Sequence, residues 1–298
     1  MGNCEEMKTI QSTSVFGFVI LHYLVADATI DCVESIRMHC KNDNYHIVIV
    51  DNNSANGSLE KLEQRYANMR EIHILHNIVN DGFARGNNVG YEYCKNNLKC
   101  NYIAVLNNDI VLLSDNFIAQ SEDDYIMHGY GVIGPDIISG KNGLHSNPMK
   151  GVINTKAKAD AVEKHINRNI PLLYMHMLKP AQYVKNALTK KRRKETSLIS
   201  NSNEADTKLH GSCLIFTPVF LREFAEPFDP GTFLYMEEDI LWLRCKQHNI
   251  AMHYEPTILV RHEEDVSTDM KMRRDERRKQ IQYLKNHKIS LQVLRKYL

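Results

Sequence analysis

The sequence predicts an α/β protein with a mostly parallel central sheet. Short apolar segments rich in β-branched residues alternate along the chain with segments whose apolar residues recur at helical spacing. Such alternation is typical of βαβ units, in which strands buried on both faces lie parallel. Several of the apolar segments also stop abruptly at Asn and Asp residues. Because ligands in open α/β sheets bind beyond the carboxyl ends of the strands, we expect the functional site at these polar strand ends.

The composition narrows the class of protein. The chain has 298 residues and 43% hydrophobic content, enough for one large α/β domain or two modest ones. Its 37 basic and 36 acidic residues give a net charge of +1, so bulk electrostatics do not favour a nucleic-acid partner. The seven cysteines contain no C-x-x-C pair, which argues against a disulfide framework and a structural zinc site. These observations favour a reducing, cytoplasmic environment.

The amino-terminal segment does not have the features of a membrane span or a signal peptide. The apolar run at 15–25 is about half the roughly 20 residues that a spanning helix needs, and we expect it to form the first core strand. Residues 1–8 lack the basic region that opens a signal peptide. We therefore expect a soluble chain.

The first third of the chain is predicted to form successive strand and helix pairs. The expected elements are a strand at 15–25, a helix at 27–38, a strand at 45–50, a helix at 58–69 and a short strand at 72–75. The second strand ends at Asp51, which begins the polar cluster Asp51-Asn-Asn-Ser54. Asp51 is thus the first acidic residue expected at the carboxyl edge of the sheet.

A loop with two glycines follows the third strand. In Asn80-Asp-Gly-Phe-Ala-Arg-Gly-Asn-Asn88, the glycines flank the start of a helix expected at about 87–96. Exposed backbone N–H groups and the helix dipole at such a start favour an anion such as phosphate. The dinucleotide fingerprint G-x-G-x-x-G is absent. Taken alone, the segment is also consistent with an ordinary loop that contains a glycine turn.

The fourth strand ends in a second polar cluster. The apolar run at 102–111 is interrupted by Asn107-Asn-Asp109 and then resumes. Its length and composition predict a strand buried on both faces, whose carboxyl end carries Asn107 and Asp109. Taken alone, the tripeptide is equally consistent with a turn. A fifth strand is expected at 131–138.

A long insertion is predicted at 139–208, where the alternation of strands and helices breaks down. It contains an apolar stretch at 171–178 and five consecutive basic residues at 190–194. One interpretation is that 172–194 contacts an anionic membrane surface, where each basic residue contributes roughly 1 kcal/mol. This interpretation would place the protein at the inner face of the cell membrane as a peripheral protein. The other interpretation is a solvated basic loop beside a helix that covers the site.

The last third of the chain returns to regular structure. A strand is expected at 211–216, a helix after Thr217-Pro218, a helix opened by Glu237-Glu-Asp239, two short strands within 251–260, and a charged helix from about 268. Acidic residues in the first turn of a helix are favoured by the helix dipole. A purely structural role for the three carboxylates is therefore as plausible, on this pattern alone, as a chemical one.

Candidate residues for metal binding and proton transfer come from distant parts of the chain. Asp109 and His262 each follow a predicted strand, and with diphosphate oxygens they would complete an octahedral Mg²⁺ or Mn²⁺ site. A single His after a strand is also commonly incidental. Asp239 or Glu238 would serve as a general base for an acceptor hydroxyl. The sequence shows no Ser-His-Asp or Cys-His signature, so it does not indicate a covalent enzyme intermediate.

Six segments in a fixed order resemble the family 2 glycosyltransferases with the GT-A fold, in particular the bacterial rhamnosyltransferase-like branch that builds surface polysaccharides. The segments are 50–54, 80–88, 106–109, 211–213, 233–239, and 260–262 followed by Ser267. The resemblance implies a single Rossmann-like GT-A domain over 14–268 with a mostly parallel central sheet. It would contain the helical and loop insertion at 139–208, on the acceptor or membrane side, and be followed by a C-terminal helical segment at 269–298.

The resemblance also implies a function. It is inverting, metal-dependent transfer of a sugar from a nucleoside diphosphate sugar to a glycan or lipid-linked acceptor, in polysaccharide biosynthesis. Asp109 and His262 would bind Mg²⁺ or Mn²⁺, and Asp239, preferred to Glu238, would be the catalytic base. The implied nucleotide-sugar-binding residues are Tyr23, Asp51, Asn53, Asn80, Gly82, Phe83, Arg85, Asn88, Asn107 and Asn108.

Two departures from the family pattern bear on these assignments. Asn107-Asn-Asp109 stands where the family has Asp-x-Asp, which removes one acidic ligand and would weaken metal affinity. The family often has Glu-Asp-x-Asp at the base, whereas Ile240 and Leu241 follow Glu-Glu-Asp here. Two other functions stay open. A sugar nucleotidyltransferase is disfavoured because no Gly-rich, basic loop follows the first strand, and a non-catalytic subunit would bind a nucleotide sugar without turnover.

Overall fold

The computed structural model describes residues 14–41, 43–175, 207–264 and 276–298. Its strands are β1 (Phe16–His22), β2 (Tyr45–Asp51), β3 (Ile72–His76), β4 (Tyr102–Asn107), β5 (Ile110–Leu112), β6 (Val132–Ser139), β7 (Cys213–Phe216) and β8 (Met252–His262). Its helices are α1 (Ala26–His39), α2 (Ser58–Tyr66), α3 (Gly82–Glu92), α4 (Phe117–His128), α5 (Lys156–Tyr174), α6 (Pro218–Glu223), α7 (Glu237–Gln247) and α8 (Glu276–Leu294).

The strands form one eight-stranded sheet in the order β3-β2-β1-β4-β7-β6-β8-β5. Strand β1 is parallel to β2 and β4, β2 is parallel to β3, and β6 is parallel to β8. Strand β7 runs antiparallel to its neighbours β4 and β6, and β5 runs antiparallel to β8. The sheet is therefore mostly parallel, which confirms the fold class predicted from the sequence.

Helices on both faces of the sheet bury the central strands. Along β1, Val19 belongs to one core cluster, whereas Phe18 and Ile20 belong to the cluster on the opposite face, as the alternation of side chains in a strand requires. Helix α3 lies so close to the sheet that a Cβ atom at Gly90 would overlap Val19, and glycine at this position permits the approach. The strand ends that carry the polar clusters are thereby held on a rigid base.

Several elements differ from the sequence expectations. Helix α3 begins at Gly82 rather than near 87, and it continues through a π-helical turn at Tyr93–Asn97. The run at 102–111 divides into two strands at the polar tripeptide. Strand β4 pairs with β1, whereas β5, which follows the tripeptide, pairs with β8. Strand β8 is continuous, with an irregular register opposite Pro135, where two short strands were expected. Helix α4 had no counterpart in the sequence assignment.

The described part of the insertion is anchored to the C-terminal helix. Helix α5 begins after Thr155, whose side chain accepts a hydrogen bond from the Lys158 backbone N–H, and it packs against α8. Arg295 Nη2 donates to Asp160 at 2.6 Å and to Glu163 at 2.7 Å. The basic run at 190–194 and most of the predicted membrane-contact stretch lie outside the described residues, and so does the start of the predicted C-terminal helix. Among the helices that the structure describes, none combines the length and apolarity needed to cross a membrane.

Candidate active site

The carboxyl ends of three neighbouring strands bring the predicted polar residues together. Strand β1 lies between β2 and β4, and all three are parallel. In the register, His22 at the end of β1 stands opposite Asp51, and Leu21 stands opposite Asn107. Tyr23 and Asn53 follow the ends of β1 and β2, and Asn53 is exposed with a left-handed φ of 62°. The edge of the sheet thus carries the candidates that were expected there.

Asp51 is buried and surrounded by hydrogen-bonding groups. Both carboxylate oxygens lie 3.2 Å from the backbone N–H of Ser54, and His76 Nδ1 lies 2.9 Å from Oδ2. His22 Nε2 is 3.9 Å from Oδ1 of the same carboxylate. Burial lowers the pKa of His22 to about 4, although the charge of Asp51 acts in the opposite direction. His22 is therefore neutral at pH 7 and serves as a fixed support beside Asp51.

Asn52 organises the glycine-containing loop, although the sequence interpretation did not select it. Its Nδ2 donates to Asn80 Oδ1 and to the Gly82 carbonyl oxygen, both at 3.1 Å. Its Oδ1 accepts hydrogen bonds from the Asp81 backbone N–H at 3.1 Å and from Asn77 Nδ2 at 3.3 Å. Asn52 lies next to Asp51 within the matched segment 50–54, and this position was the signal that could have identified it.

Gly82 joins this loop to the segment that precedes the acidic helix. It has a φ of 79°, and a Cβ atom there would overlap the carbonyl oxygen of Phe233. The Phe83 backbone N–H donates to the same oxygen at 2.7 Å, and Asn80 Oδ1 accepts from the Gly82 N–H at 3.0 Å. Only glycine combines this backbone conformation with this close approach.

Two other candidates on α3 contact the chain's own backbone. Arg85 Nε donates to the carbonyl oxygen of Pro230 at 2.9 Å. The buried side chain of Asn88 donates to the Phe228 carbonyl oxygen at 2.8 Å and accepts from the Phe228 N–H at 3.2 Å. Phe83 packs on the same segment, with its ring 5.1 Å from that of Phe228. In the described structure these side chains hold the segment 228–230 against α3.

Asp109 and His262 lie next to each other at the edge of the sheet. The sequence interpretation placed each of them just after a strand and proposed them as ligands of one metal ion. Strand β5 pairs antiparallel with β8, so that Ile110 stands opposite His262. The Asp109 carbonyl oxygen accepts from the Glu263 N–H at 3.0 Å, and Asp109 Oδ1 lies 3.1 Å from His262 Nε2. Adjacent ligands of an octahedral ion at about 2.1 Å lie about 3.0 Å apart, so this pair fits Mg²⁺ or Mn²⁺.

The two asparagines before Asp109 have different surroundings. Asn107 is half-buried at the end of β4, and its backbone N–H donates to the Ser212 carbonyl oxygen at 2.9 Å. Asn108 is buried, and its Nδ2 lies 3.2 Å from Thr29 Oγ1. Asn108 therefore points toward the start of α1, whereas Asn107 lies at the site edge.

His210 is a further residue at this site that the sequence interpretation missed. Its ring centroid lies 5.8 Å from that of His262, and its Nδ1 is 2.9 Å from Ser212 Oγ. Burial lowers the pKa of His210, while the nearby charge of Glu238 acts to raise it. His210 immediately precedes the matched segment 211–213, which was the available signal. The site thus combines two imidazoles with the carboxylates of Asp109 and Glu238.

The three carboxylates that open α7 occupy three different environments. Glu237 is buried, and burial together with the charge of Glu238 raises its pKa to about 7. Glu238 is half-buried, and its Oε1 accepts from the Gly211 N–H at 3.3 Å. Asp239 is buried against Lys208 Nζ, at 3.2 and 3.1 Å from its two oxygens, and accepts from the Ile153 N–H at 2.8 Å. Of the three, Glu238 is the one that contacts Gly211, next to His210, and whose charge acts on the His210 imidazole.

Comparisons with known proteins bear on the family and the fold of the chain. A family model described as glycosyl transferase family 2 matches residues 18–170, just over half of the chain. No curated protein sequence matches the chain.

Among solved structures, the chain is similar to TarS of S. aureus. The structure of TarS 1-349 has a TM-score of 0.52 and 10% identity, with 83% of this chain and 60% of that chain covered. Its complex with UDP gives the same values. The complex with UDP-GlcNAc gives a TM-score of 0.50 and 9% identity, with 84% and 58% covered. The chain therefore spans about 60% of the length of these structures, and at this identity the likeness shows a shared fold.

Proposed function

The chain belongs to the glycosyltransferases of family 2 and has the GT-A fold, and from this premise we propose that it is an inverting, metal-dependent enzyme. It moves a sugar from a nucleoside diphosphate sugar to a glycan or lipid-linked acceptor. The observation that carries the proposal is the Asp109 and His262 pair, which lies beside His210. Similar structures hold UDP or UDP-GlcNAc, which supports a uridine diphosphate sugar as the first donor to test.

The donor's nucleotide would lie along the ends of β1, β2 and β4. Asp51 is held at the bottom of this edge by His76 and Ser54, so its carboxylate is oriented before the nucleotide arrives. Tyr23 and Asn53 flank it, and the loop around Asn80 and Gly82 closes the adjacent side. Asn107, half-buried at the end of β4, would lie near the ribose. Preorganised groups of this kind reduce the cost of ordering on binding.

Asp109 and His262 would hold the metal ion, together with oxygens of the donor's diphosphate. A bound Mg²⁺ or Mn²⁺ supplies positive charge that stabilises the departing diphosphate. With a single carboxylate on the protein side, the site depends strongly on the donor for its remaining ligands. His210, kept neutral by burial, lies beside the pair and is positioned to donate a hydrogen bond to the same anionic group.

We assign the catalytic base to Glu238, whereas the sequence interpretation preferred Asp239. Asp239 is buried and already paired with Lys208 and the Ile153 N–H, so its oxygens are occupied by donors of the protein itself. Glu238 is more accessible and faces the imidazoles. It would remove the proton of an acceptor hydroxyl while that oxygen attacks the anomeric carbon. The bond from that carbon to the diphosphate oxygen breaks on the opposite face, which inverts the configuration.

An aromatic cluster beside the acidic helix supports a sugar acceptor. The rings of Tyr235 and His287 stack at 4.5 Å, and the rings of Tyr283 and His287 lie 4.0 Å apart. Phe233 is exposed on the same segment. Flat aromatic surfaces near a carboxylate suit the apolar faces and hydroxyls of a sugar ring. The proposal includes membership of the rhamnosyltransferase-like branch and a role in polysaccharide biosynthesis. The six ordered sequence segments support both.

The membrane contact predicted for 172–194 is a separate proposal. Of this stretch the structure describes only its beginning, where Tyr174 and Met175 are exposed at the end of α5. Deletion of 172–194 is expected to abolish salt-sensitive binding of the protein to vesicles that contain anionic lipid. Vesicle binding that is unchanged by the deletion would contradict a membrane role.

Product analysis tests the proposed reaction. Incubation with a panel of nucleoside diphosphate sugars and Mn²⁺ is expected to release a nucleoside diphosphate, and acceptor sugars should accelerate the release. Release of pyrophosphate would instead indicate a sugar nucleotidyltransferase. Donor binding by calorimetry without turnover, over a broad acceptor panel, would indicate a non-catalytic subunit.

A further inference from the structure

A second polar cluster lies at the opposite end of β8 from the candidate active site. His253 and Glu255 are near the start of this strand and, being two residues apart, project from the same face. That face is covered by α4, which contributes Asp124. On the neighbouring strand β6, His253 stands opposite Ile133 and His262 opposite Ser139, so the two histidines are separated by about 20 Å along the sheet. The cluster is therefore distinct from the Asp109 and His262 pair.

Asp124 and Glu255 each have one carboxylate oxygen that is already hydrogen-bonded, so the other oxygen is available to bind a ligand. Gln120 Nε2 donates to Asp124 Oδ1 at 3.1 Å. Glu255 Oε1 accepts from the Thr257 N–H at 2.8 Å and from Thr257 Oγ1 at 2.6 Å. The second oxygen of Asp124, Oδ2, is buried and has no hydrogen-bond partner among the described residues. Both carboxylates are thus fixed by donors on one side.

Two buried carboxylates close together destabilise the folded protein unless a cation lies between them. Asp124 is 3% exposed and Glu255 is 6% exposed. Burial, and then the charge of Glu255, raise the pKa of Asp124. The ring of His253 stacks on Tyr130 at 4.2 Å with a 5° angle between the planes, so the imidazole is fixed. A divalent ion would neutralise both carboxylates and supply the missing partner of Asp124 Oδ2.

We propose that Asp124, His253 and Glu255 bind a divalent first-row transition metal ion, best matched by Zn²⁺, which ties α4 to β8. One ligand atom from each residue can be chosen so that all lie within 4.8 Å of one another. His253 Nε2 and Glu255 Oε2 are 3.5 Å apart. Two ligands at about 2.1 Å from a tetrahedral ion lie about 3.4 Å apart.

The chemistry of the ligands favours zinc over the hard cations. Zn²⁺ accepts both imidazole nitrogen and carboxylate oxygen as ligands, and a water molecule would complete a tetrahedron with the three side chains. Ca²⁺ takes more oxygen ligands than this cluster offers, and Mg²⁺ requires near-ideal octahedral geometry in which it usually keeps several waters. The sequence argument against structural zinc considered only cysteine spacing, and this cluster contains no cysteine. The inference is independent of the proposed function.

Metal content in a variant that lacks the active-site pair tests the proposal. Full-length Asp109→Asn, His262→Gln protein is stripped of metal and equilibrated with Zn²⁺ by dialysis, and bound zinc is measured by elemental mass spectrometry. We expect about one zinc ion per chain, reduced at least about 10-fold by adding Asp124→Asn. His128→Gln, on the same helix but outside the cluster, is the matched control. Absence of bound zinc, or binding unaffected by Asp124→Asn, would overturn the assignment.

A spectroscopic readout covers the case in which Asp124→Asn does not fold. Co²⁺ in a tetrahedral site with a nitrogen ligand absorbs visible light strongly, so Co²⁺ added to the same double variant should produce this band. His253→Gln should remove the band while the far-ultraviolet circular dichroism stays unchanged. A band that persists in the folded His253→Gln protein, or that never appears, would overturn the assignment.

Discussion

Lys208 Nζ lies 3.1 Å from Asp239 Oδ2, and both side chains are buried. Lys208 is where the described chain returns from the insertion, and its backbone carbonyl accepts from the Met149 N–H at 2.9 Å. Asp239 also accepts from the Ile153 N–H, so it fixes two parts of the insertion to the first turn of α7. These contacts are the reason that we propose Glu238, and not Asp239, as the base.

The first prediction separates these two carboxylates by kinetics. Glu238→Gln is expected to lower kcat by about 10²–10⁴, because a neutral amide cannot accept the acceptor's proton. Donor affinity should change little, since Glu238 is assigned to the acceptor side. Asp239→Asn should lower kcat of the folded enzyme by less than about 10-fold. Steady-state kinetics and calorimetry of donor binding measure both effects, and the opposite ranking of the two variants would return the base to Asp239.

The second prediction concerns the stability of the buried ion pair. Lys208→Met removes one partner and leaves the Asp239 carboxylate buried without its cation, which typically costs about 3–5 kcal/mol of unfolding free energy. Urea unfolding at pH 7 measures this loss. Adding Asp239→Asn to Lys208→Met should recover part of it, because the unpaired charge is then gone. Equal stability of wild type and Lys208→Met would show that the contact is not formed in solution.

The third prediction concerns the close approach at Gly82. Gly82→Ala places a Cβ atom against the Phe233 carbonyl oxygen and adds the strain of a left-handed φ. We expect weaker donor binding and a lower melting temperature. Gly57→Ala is the matched control, because Gly57 has a similar φ of 81° with nothing within 4 Å of the added atom. Its cost should be limited to about 1–2 kcal/mol of backbone strain, with donor affinity retained. Equal donor affinity and equal melting temperature in the two variants would show that the contact with Phe233 affects neither donor binding nor stability.

The fourth prediction concerns the pH dependence of stability. The pKa of Glu237 is raised from 4.5 to about 7, mainly by burial, so the native state retains a proton that the unfolded state has lost between these values. Stability contributed by this group is therefore lost as the pH rises from 4.5 through 7. Glu237→Gln should remove this loss, so that its stability relative to wild type improves by up to about 3 kcal/mol between pH 5 and pH 8. Urea unfolding at the two pH values measures the change, and a constant difference between the proteins would argue against a raised pKa.

The sheet and the position of the site were predictable because they depend on local patterns. Apolar β-branched runs identified β1, β2 and β4, and the polar residues at their ends marked the edge that carries the candidate site. The position of Asp109 and of His262 at the ends of apolar runs followed from the same patterns. The pairing of β5 with β8 that brings them together depends on long-range sheet order, and no local pattern specified it.

The roles of individual carboxylates were not predictable in the same way. Glu238 and Asp239 are adjacent in the sequence and chemically similar, and contacts with distant residues, Lys208 among them, distinguish their surroundings. His210 and Asn52 likewise acquire their roles from neighbours contributed by other strands and loops. Helix α4 was missed. Asp124, which lies on it, was not selected because its neighbours His253 and Glu255 are more than a hundred positions away in the sequence.

Metal titration of nucleoside diphosphate release tests the central assignment most directly. Release from the donor is measured against Mn²⁺ concentration for wild type, Asp109→Asn and His262→Gln. Asp109→Asn is expected to lower kcat/KM by at least about 10³ at every metal concentration, since it removes the one carboxylate of the proposed metal-ligand pair. His262→Gln should raise the Mn²⁺ concentration for half-maximal activity by at least about 10-fold. Wild-type activity and an unchanged metal response in both variants would contradict the assignment of Asp109 and His262 as the metal ligands.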